Sequence, residues 1–522
     1  MCGIYICLGT NENEINNKQE HRGPDEHVIH TRGSDVWIFD RLSINDVEFG
    51  GQPFMDDQHV FMCNGEIYNH MSLSNEIVHE LQSKSDCEPL FHLLNKCCEY
   101  DEFDQVCKNI DGEFAFVYAN ENHYVVARDP LGVRPLFMCV DRIYPNIVLG
   151  IGSEAKSLLH LPGTIQQFPP GNCMVLDRFY HVVHQNDYQG IVLNLPTITD
   201  SRDVACQSIR TLLIESVRKR LMSDRPVGYF LSGGLDSSII ASIGAQLVYP
   251  DKITTYSIGT KGHQSPDLIA AQKMAEHLNS NHVVIEFSIE EAIEQLENVI
   301  WHLESYDCTT IRASVPMYLL CNEIKKRNEH KALLSGEGAD ELFGGYLYLH
   351  DAPSNDAFQE ETKQLLKNVH QYDLVRADRC VSGHGLEIRV PFFDKRLVQY
   401  VYGLDPSFKI SRGTIEKKLL RDAFSNDLPS EIVNRQKNGM SDAVGYSWVD
   451  HLKTIAPDAS DIHYLVNTPA SKEEAWYRKV FHKHFGDKVT THNSIWRPKW
   501  SSVMDPSARA LHVHDSNNSF DK

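Results

Sequence analysis

VGYFLSGGLDSS, Val227 to Ser238, decides the fold of the second half of the chain. Strand-like Val227 to Leu231 passes through Ser-Gly-Gly into helix-like Ser237 to Val248. Strand-like Ile253 to Ile258, helix-like Asp267 to Leu278 and strand-like His282 to Phe287 follow. Strands and helices alternating at these lengths imply a parallel sheet covered on both faces, so this half reads as α/β. Just upstream, Ile209, Leu212, Leu213, Val217 and Leu221 mark one face of an amphipathic helix. In the loop, two glycines let backbone N–H groups turn toward an anion, and serine hydroxyls and the positive helix end add donors. The GxxxxGK[ST] phosphate loop is absent from the chain.

Toward the N-terminus the pattern changes. Short strand-like runs, Gly3 to Leu8, Val36 to Phe39, His59 to Cys63, Phe114 to Tyr118, Tyr124 to Ala127 and Ile147 to Gly150, are separated by Gly, Pro, Asn and Asp clusters. Only two helix-like stretches, Ser74 to Gln82 and Glu88 to Tyr100, interrupt them. Antiparallel sheets with flanking helices are the natural reading, an α+β arrangement. The stretch from about Gln185 to Arg202 has no sustained period and carries Asn, Asp, Gly and Pro, which marks a boundary. It separates a unit spanning 2–190 from one spanning 203–505, and the polar segment 506–522 reads as a disordered tail.

The 522 residues are 42% hydrophobic, enough for several cores, and carry a net charge of -21 with no basic cluster, which argues against nucleic acid as a partner. The longest near-apolar run, Leu231 to Val248, contains Asp236, so no membrane span is expected. Thirteen cysteines without a Cys-x-x-Cys pair, and a start lacking a basic and apolar leader, point to reduced thiols in a cytoplasmic setting.

Cys2 becomes the first residue if Met1 is removed. An α-amine with a pKa of about 7.7 to 8.0 is partly neutral at pH 7 and can take the thiol proton, so one residue would carry nucleophile and base. HRGPDEH (His21 to His27), DRLSIND (Asp40 to Asp46), NGEIYNH (Asn64 to His70), SDCE (Ser85 to Glu88) and ARDPLGVRPLF (Ala127 to Phe137) resemble, in order, the glutamine amidotransferase domain of the N-terminal-nucleophile class. That resemblance implies an αββα sandwich in which Cys2 attacks the glutamine side-chain amide. It assigns the oxyanion donors to the Asn64 side chain and the Gly65 N–H. It gives the glutamine α-carboxylate to Arg41 with the loop through Leu42, Ser43, Ile44 and Asn45, and the α-ammonium to Asp86 with Glu66. A guanidinium suits the first group and carboxylates the second.

SGGLDSS resembles the pyrophosphate loop of N-type ATP pyrophosphatases. YDCTTIRASVPMYLL (Tyr306 to Leu320), LLSGEGADELFGGY (Leu333 to Tyr346), GLEIRVPFFDK (Gly385 to Lys395) and RQKNGMSDAVGYSW (Arg435 to Trp448) resemble the glutamine-hydrolysing asparagine synthetase family. What the resemblance implies is cleavage between the α- and β-phosphates of ATP, β-aspartyl-AMP as intermediate, and a homodimer. On it, Leu231, Ser232, Gly233, Gly234, Asp236, Ser237, Ile258, Ser335 and Gly336 receive ATP, and Glu337 lies beside the reacting carbonyl. Lys437 offsets charge at the phosphorus, and Arg312 and Arg389 are the candidates for aspartate. An acid inside a phosphate loop repels its ligand unless it holds a cation, so Asp236 with Asp340 is expected to hold Mg²⁺.

The chain departs from the family in the short polar lead NENEINNKQE, in Phe39 and Asp40 where His-Glu is usual, and in Ser83 and Lys84 where Thr-Gly is usual. Two rivals share parts of the pattern. A synthetase that closes a β-lactam ring needs no glutamine, which Cys2, Asn64 and Asp86 argue against. A silent glutamine or nucleotide sensor would keep the motifs without turnover.

Overall fold

The computed structural model describes residues 1–9, 15–77, 80–194, 196–262, 265–412, 415–436, 446–458, 464, 466–490 and 495–500. The first half forms two sheets. Strands β1 (Gly3–Cys7), β2 (Glu26–Arg32), β3 (Asp35–Arg41), β8 (Phe137–Val140), β9 (Val148–Gly152) and β10 (Thr164–Gln167) build one, in the order β10-β8-β9-β1-β3-β2. Strands β4 (Phe54–Met55), β5 (Val60–Ile67), β6 (Gly112–Ala119), β7 (His123–Arg128), β11 (Asn172–Asp177) and β12 (Val182–Asp187) build the other, in the order β12-β11-β7-β6-β5-β4. Every pairing among these strands is antiparallel.

Strand alternation explains the layering. In β1, Ile4 and Ile6 point between the sheets, where they join Trp37, Phe39, Met62, Val117 and Val126 in one buried core. Tyr5 and Cys7 face the opposite way, into a core continuous with the second half of the chain. The outer face of the second sheet carries Phe61, Phe114 and Phe116 under Leu90, Leu94 and Phe103 of the helices Glu88–Leu94 and Tyr100–Asn109.

The second half contains five parallel strands, β13 (Val227–Phe230), β14 (Thr254–Thr260), β15 (Asn281–Phe287), β16 (Ala332–Leu334) and β17 (Glu387–Arg389), in the order β15-β14-β13-β16-β17. The helix Leu235–Val248 follows β13, and Pro266–Leu278 follows β14. Strand order reverses between β13 and β16, and in open α/β sheets ligands bind beyond the carboxyl ends of the strands at such a point. A short strand from the far end of the chain, β18 (Val489–Thr490), pairs in parallel with β10 of the first sheet.

Two expectations are corrected. Among the described residues no helix runs from Ser74 to Gln82. The helix there is His70–Ser74, and further on the Glu88 carboxylate takes the N–H groups of Gln82 and Ser83, both at 2.7 Å, which fixes a loop. The stretch Glu88 to Tyr100 is two helices, because Glu99 and Glu102 form a capping box that starts a new one at Tyr100. All thirteen cysteines are free thiols, and no helix among the described residues is long and apolar enough to cross a membrane. The segment 506–522 lies outside the described residues.

Candidate active sites

The first site lies where the two sheets of the first half meet. Cys2 sits immediately before β1, the loop Leu42–Asn45 follows β3, and Asn64, Gly65 and Glu66 belong to β5 of the other sheet. Leu42 N–H donates to Cys2 Sγ at 3.4 Å. Burial pushes the Cys2 thiol up to about 11, against the pull of the nearby α-amine and the Leu42 hydrogen bond. A thiol held protonated needs a base beside it to become a nucleophile.

The α-amine is the available base, brought down to about 5 by burial. It belongs to Met1, however, and donates to Leu386 O at 3.0 Å. While Met1 is attached, the nitrogen of Cys2 is an amide and takes no proton. Intact-mass spectrometry of active protein is therefore expected to show Met1 removed. Full activity with Met1 retained would transfer the role of base to another group.

Asn64 is 1% exposed, and neither its Nδ2 nor its Oδ1 has a hydrogen-bond partner among the described residues. A buried amide left unmatched costs roughly 1–3 kcal/mol, so its partner is to be sought in a ligand. Gly65 is required by packing. A Cβ there would stand 2.2 Å from Glu113 O across the β5–β6 pair.

Asp86 and Glu66 converge through Asn45, whose Nδ2 donates to Glu66 Oε2 at 2.5 Å and to Asp86 Oδ1 at 3.4 Å. Asp86 Oδ2 also accepts Ile67 N–H at 2.6 Å. Burial pushes both carboxylates above their ordinary range. Such a pair attracts a cation of ligand size, as an α-ammonium is.

Arg41 lies beside them but is engaged with the loop, donating to Asp46 O at 2.6 Å and to Glu26 at 3.3 Å. Ser43 N–H is held by Asp25, while Leu42 and Ile44 pack against Ala332 of β16. Of the departures from the family, Asp40 is held by Asn17 and His27, and Lys84 N–H by Asp46.

The second site is a cavity of about 710 Å³ at the switch point of the parallel sheet. Leu231, Ser232, Gly234, Asp236 and Ser237 line one wall, Ile258 of β14 adjoins them, and Ser335, Gly336, Glu337 and Asp340 line the next. Ser237 Oγ accepts Ser232 N–H at 3.2 Å, which folds the loop over the helix start. Gly233 shapes the loop at φ +73°, where a Cβ would lie 2.3 Å from Ala271 N. At Gly336 a Cβ would stand 2.7 Å from Ser237 N, so glycine lets the two cavity-lining loops touch. Arg435 Nη1 donates to Gly233 O at 3.1 Å and Nη2 pairs with Asp267, Arg435 and Asp267 both lining the cavity beside the loop. Lys437, two residues on, lies outside the described residues.

Lys417, Arg376 and Asp373 are among the charged residues of this cavity that the sequence does not single out. Lys417 Nζ lies 2.6 Å from Asp236 Oδ2 and 2.8 Å from Asp340 Oδ1. Arg376 Nη2 lies 2.6 Å from Glu337 Oε2 and 2.9 Å from Asp373 Oδ1. Burial raises the Glu337 carboxyl, Arg376 lowers it, and Asp373 and Asp340 raise it further, with a net upward shift. IEKKLLRD and YDLVRADR carry no spacing that singles these residues out. The two arginines expected to hold aspartate are placed elsewhere. Arg312 is about 100° round its helix from Ala313, which faces the cavity, and both Nε and Nη2 are on Glu473. Arg389 points to Glu66 and Glu387.

Two carboxylates converging beside a phosphate loop fit Mg²⁺, which takes one or two protein oxygens together with substrate phosphates. No group of three or more possible metal ligands occurs among the described residues.

The sequence matches the family model of the glutamine amidotransferase domain over residues 1–195 and that of asparagine synthase over 208–366 and 352–513. Fold, sites and matches define a glutamine amidotransferase joined to a nucleotide-binding α/β half. Similarity extends over almost the whole chain to asparagine synthetase B [glutamine-hydrolyzing] of Escherichia coli K12, at 37% identity over 96% of both chains. It is likewise similar to asparagine synthetase [glutamine-hydrolyzing] of Homo sapiens, at 36% identity over 98% of both. The corresponding enzyme 2 of Oryza sativa subsp. japonica is 38% identical over 99% of this chain and 93% of its own. The chain belongs to the glutamine-hydrolysing asparagine synthetase family.

Proposed function

We propose that the chain makes asparagine from aspartate, ATP and glutamine, with residues 2–190 releasing ammonia and residues 203–505 consuming it. The observation that carries this reading is the joint presence in one chain of an unmatched buried amide on β5, a buried thiol before β1, and an acid-lined loop at a switch point.

In the first site Cys2 Sγ attacks the glutamine side-chain carbonyl after the α-amine takes its proton. Asn64 Nδ2 and Gly65 N–H stabilise the oxyanion, a contribution on the order of 3–4 kcal/mol per donor. Glu66 and Asp86 hold the α-ammonium, and Arg41 with its loop takes the α-carboxylate. The C–N bond breaks as the α-amine returns its proton to the leaving nitrogen, ammonia departs, and water then cleaves the γ-glutamyl thioester to glutamate and the free thiol.

In the second site the Ser232–Ser237 loop cradles the phosphates, and Leu231, Ile258, Ser335 and Gly336 receive adenosine. An aspartate β-carboxylate oxygen attacks the α-phosphorus and pyrophosphate leaves. Ammonia then attacks the acyl carbon and AMP leaves. Glu337 takes the proton shed by the incoming nitrogen, and Lys437 offsets charge at the phosphorus. Lys417 and Arg376 are placed to neutralise the phosphates and the aspartate carboxylates respectively. Asp236 and Asp340 would hold Mg²⁺, which supplies charge neutralisation for the departing pyrophosphate. Ammonia passes between the sites inside the protein, because in bulk water it would be protonated and non-nucleophilic. The homodimer rests on the motif resemblance, and thirteen free thiols support a reducing, cytoplasmic setting.

With ATP, aspartate and glutamine supplied, the products are expected to be asparagine, glutamate, AMP and pyrophosphate in equal amounts. Chelating divalent cations should stop pyrophosphate release while glutamine hydrolysis continues. ADP with orthophosphate would overturn the reading.

A further inference from the structure

Arg389 belongs to β17, the edge strand of the parallel sheet, and is fully buried. Its backbone carbonyl accepts Ser335 N–H at 3.0 Å, in the wall of the nucleotide cavity. Its side chain runs to the other site. Nε donates to Glu387 at 2.8 Å, Nη1 to Arg220 O at 2.7 Å and Met222 O at 2.5 Å, and Nη2 lies 3.1 Å from Glu66 Oε1. The other Glu66 oxygen is taken by Asn45. Four groups thus fix the guanidinium, and a carboxylate of the glutamine site is held from the partner half of the chain.

We propose that Arg389 is a positioning residue of the glutamine site, which holds the Glu66 carboxylate by a close ion pair and turns it toward the α-ammonium of glutamine. This rests on the role assigned to Glu66 above. Burial and the neighbouring carboxylates raise Glu66 even with Arg389 in place, and loss of Arg389 would favour its protonated form further. Asp86 faces it from the loop before Glu88–Leu94, with His70 beyond, and Glu387 faces it from β17. Arg134, from the loop between β7 and β8, is the other cation there, and its own Nη2 is 3.1 Å from Glu113. Tyr68 follows β5 close by. Burial pushes Glu66 up, and Arg389 is the strongest influence in the other direction. A protonated Glu66 has one fewer charge to offer an ammonium, so glutamine binding weakens as pH falls through its pKa.

Arg389→Met is expected to raise KM for glutamine on the order of 10- to 100-fold, the weight of a close buried ion pair of opposite charges. The acid limb of kcat/KM for glutamine should move to higher pH by about one unit or more. Synthesis from added ammonia, measured on the same preparation, should stay within about twofold, since the Ser335 contact is through the backbone. Glu66→Gln should raise KM and abolish that limb, and adding Arg389→Met to it should change KM little further.

If Glu66→Gln leaves KM for glutamine unchanged, the assigned role of Glu66 falls and this inference with it. If Glu66→Gln raises KM while Arg389→Met neither raises it nor moves the limb, only the inference falls. Equal loss of the glutamine- and ammonia-driven reactions in Arg389→Met would make the residue purely structural. Should that variant fail to fold, Arg389→Lys decides. A lysine keeps the charge but cannot fork between Glu387 and Glu66, so KM should rise severalfold with the limb in place. An unchanged KM would overturn the inference.

Discussion

Cys2→Ala is expected to abolish asparagine formation from glutamine, by on the order of 10⁴-fold or more, while synthesis from added ammonia persists. The separation follows from the placement of the residues. Cys2 has its sulphur on Leu42 N–H and its neighbours in β3 and β5, whereas every residue assigned to aspartate activation lies between 231 and 437. Alanine removes only the sulphur and leaves the backbone of β1 paired with β3 and β9. Parallel assays of glutamine hydrolysis, glutamine-driven synthesis and ammonia-driven synthesis provide the check. Loss of all three would mean that the thiol serves the second reaction too.

Glu337→Gln should reduce asparagine formation from ATP, aspartate and added ammonia by on the order of 10²- to 10⁴-fold, the range for a lost acid–base group, with glutamine hydrolysis retained. Gln keeps the shape and deletes the charge that Arg376 faces at 2.6 Å. Burial, outweighing Arg376, raises the Glu337 carboxyl, so it protonates at a higher pH than an exposed glutamate. A base must be ionised to act, so wild-type synthesis falls as pH drops through that raised value. The Gln variant should be slow at every pH and lack that limb. A rate equal to wild type, or a limb unchanged in the variant, would remove Glu337 from the chemistry.

The parallel sheet was the most legible part of the fold, for a physical reason. β13, Val-Gly-Tyr-Phe, is an apolar run ended by Ser-Gly-Gly, β14, Thr-Thr-Tyr-Ser-Ile-Gly-Thr, is rich in β-branched and aromatic residues, and predicted bounds fall within about two residues of the observed ones. The first half was less legible. β2, Glu-His-Val-Ile-His-Thr-Arg, lies on a sheet edge with its residues exposed or half-buried, and its polar composition hides it. The thiol, the oxyanion residues and the phosphate loop were legible because each is a contiguous motif whose chemistry demands its neighbours. Lys417, Arg376 and the destinations of Arg312 and Arg389 were not. They depend on which face of a helix or which side of a strand meets a distant segment, and a linear string does not carry that.

Strand β18 couples the ends of the molecule in a way that constrains any attempt to split it. Ile165 N–H donates to Lys488 O at 2.9 Å, and Lys488 Nζ reaches Leu159 O and Leu161 O at 2.6 and 2.8 Å. A protease cut between 194 and 201 would sever one covalent link and leave this clasp intact, so the fragments should co-purify. Chimaeras that exchange glutaminase modules between relatives need to carry a matching stretch around 488–490, or the transplanted sheet is left with an open edge.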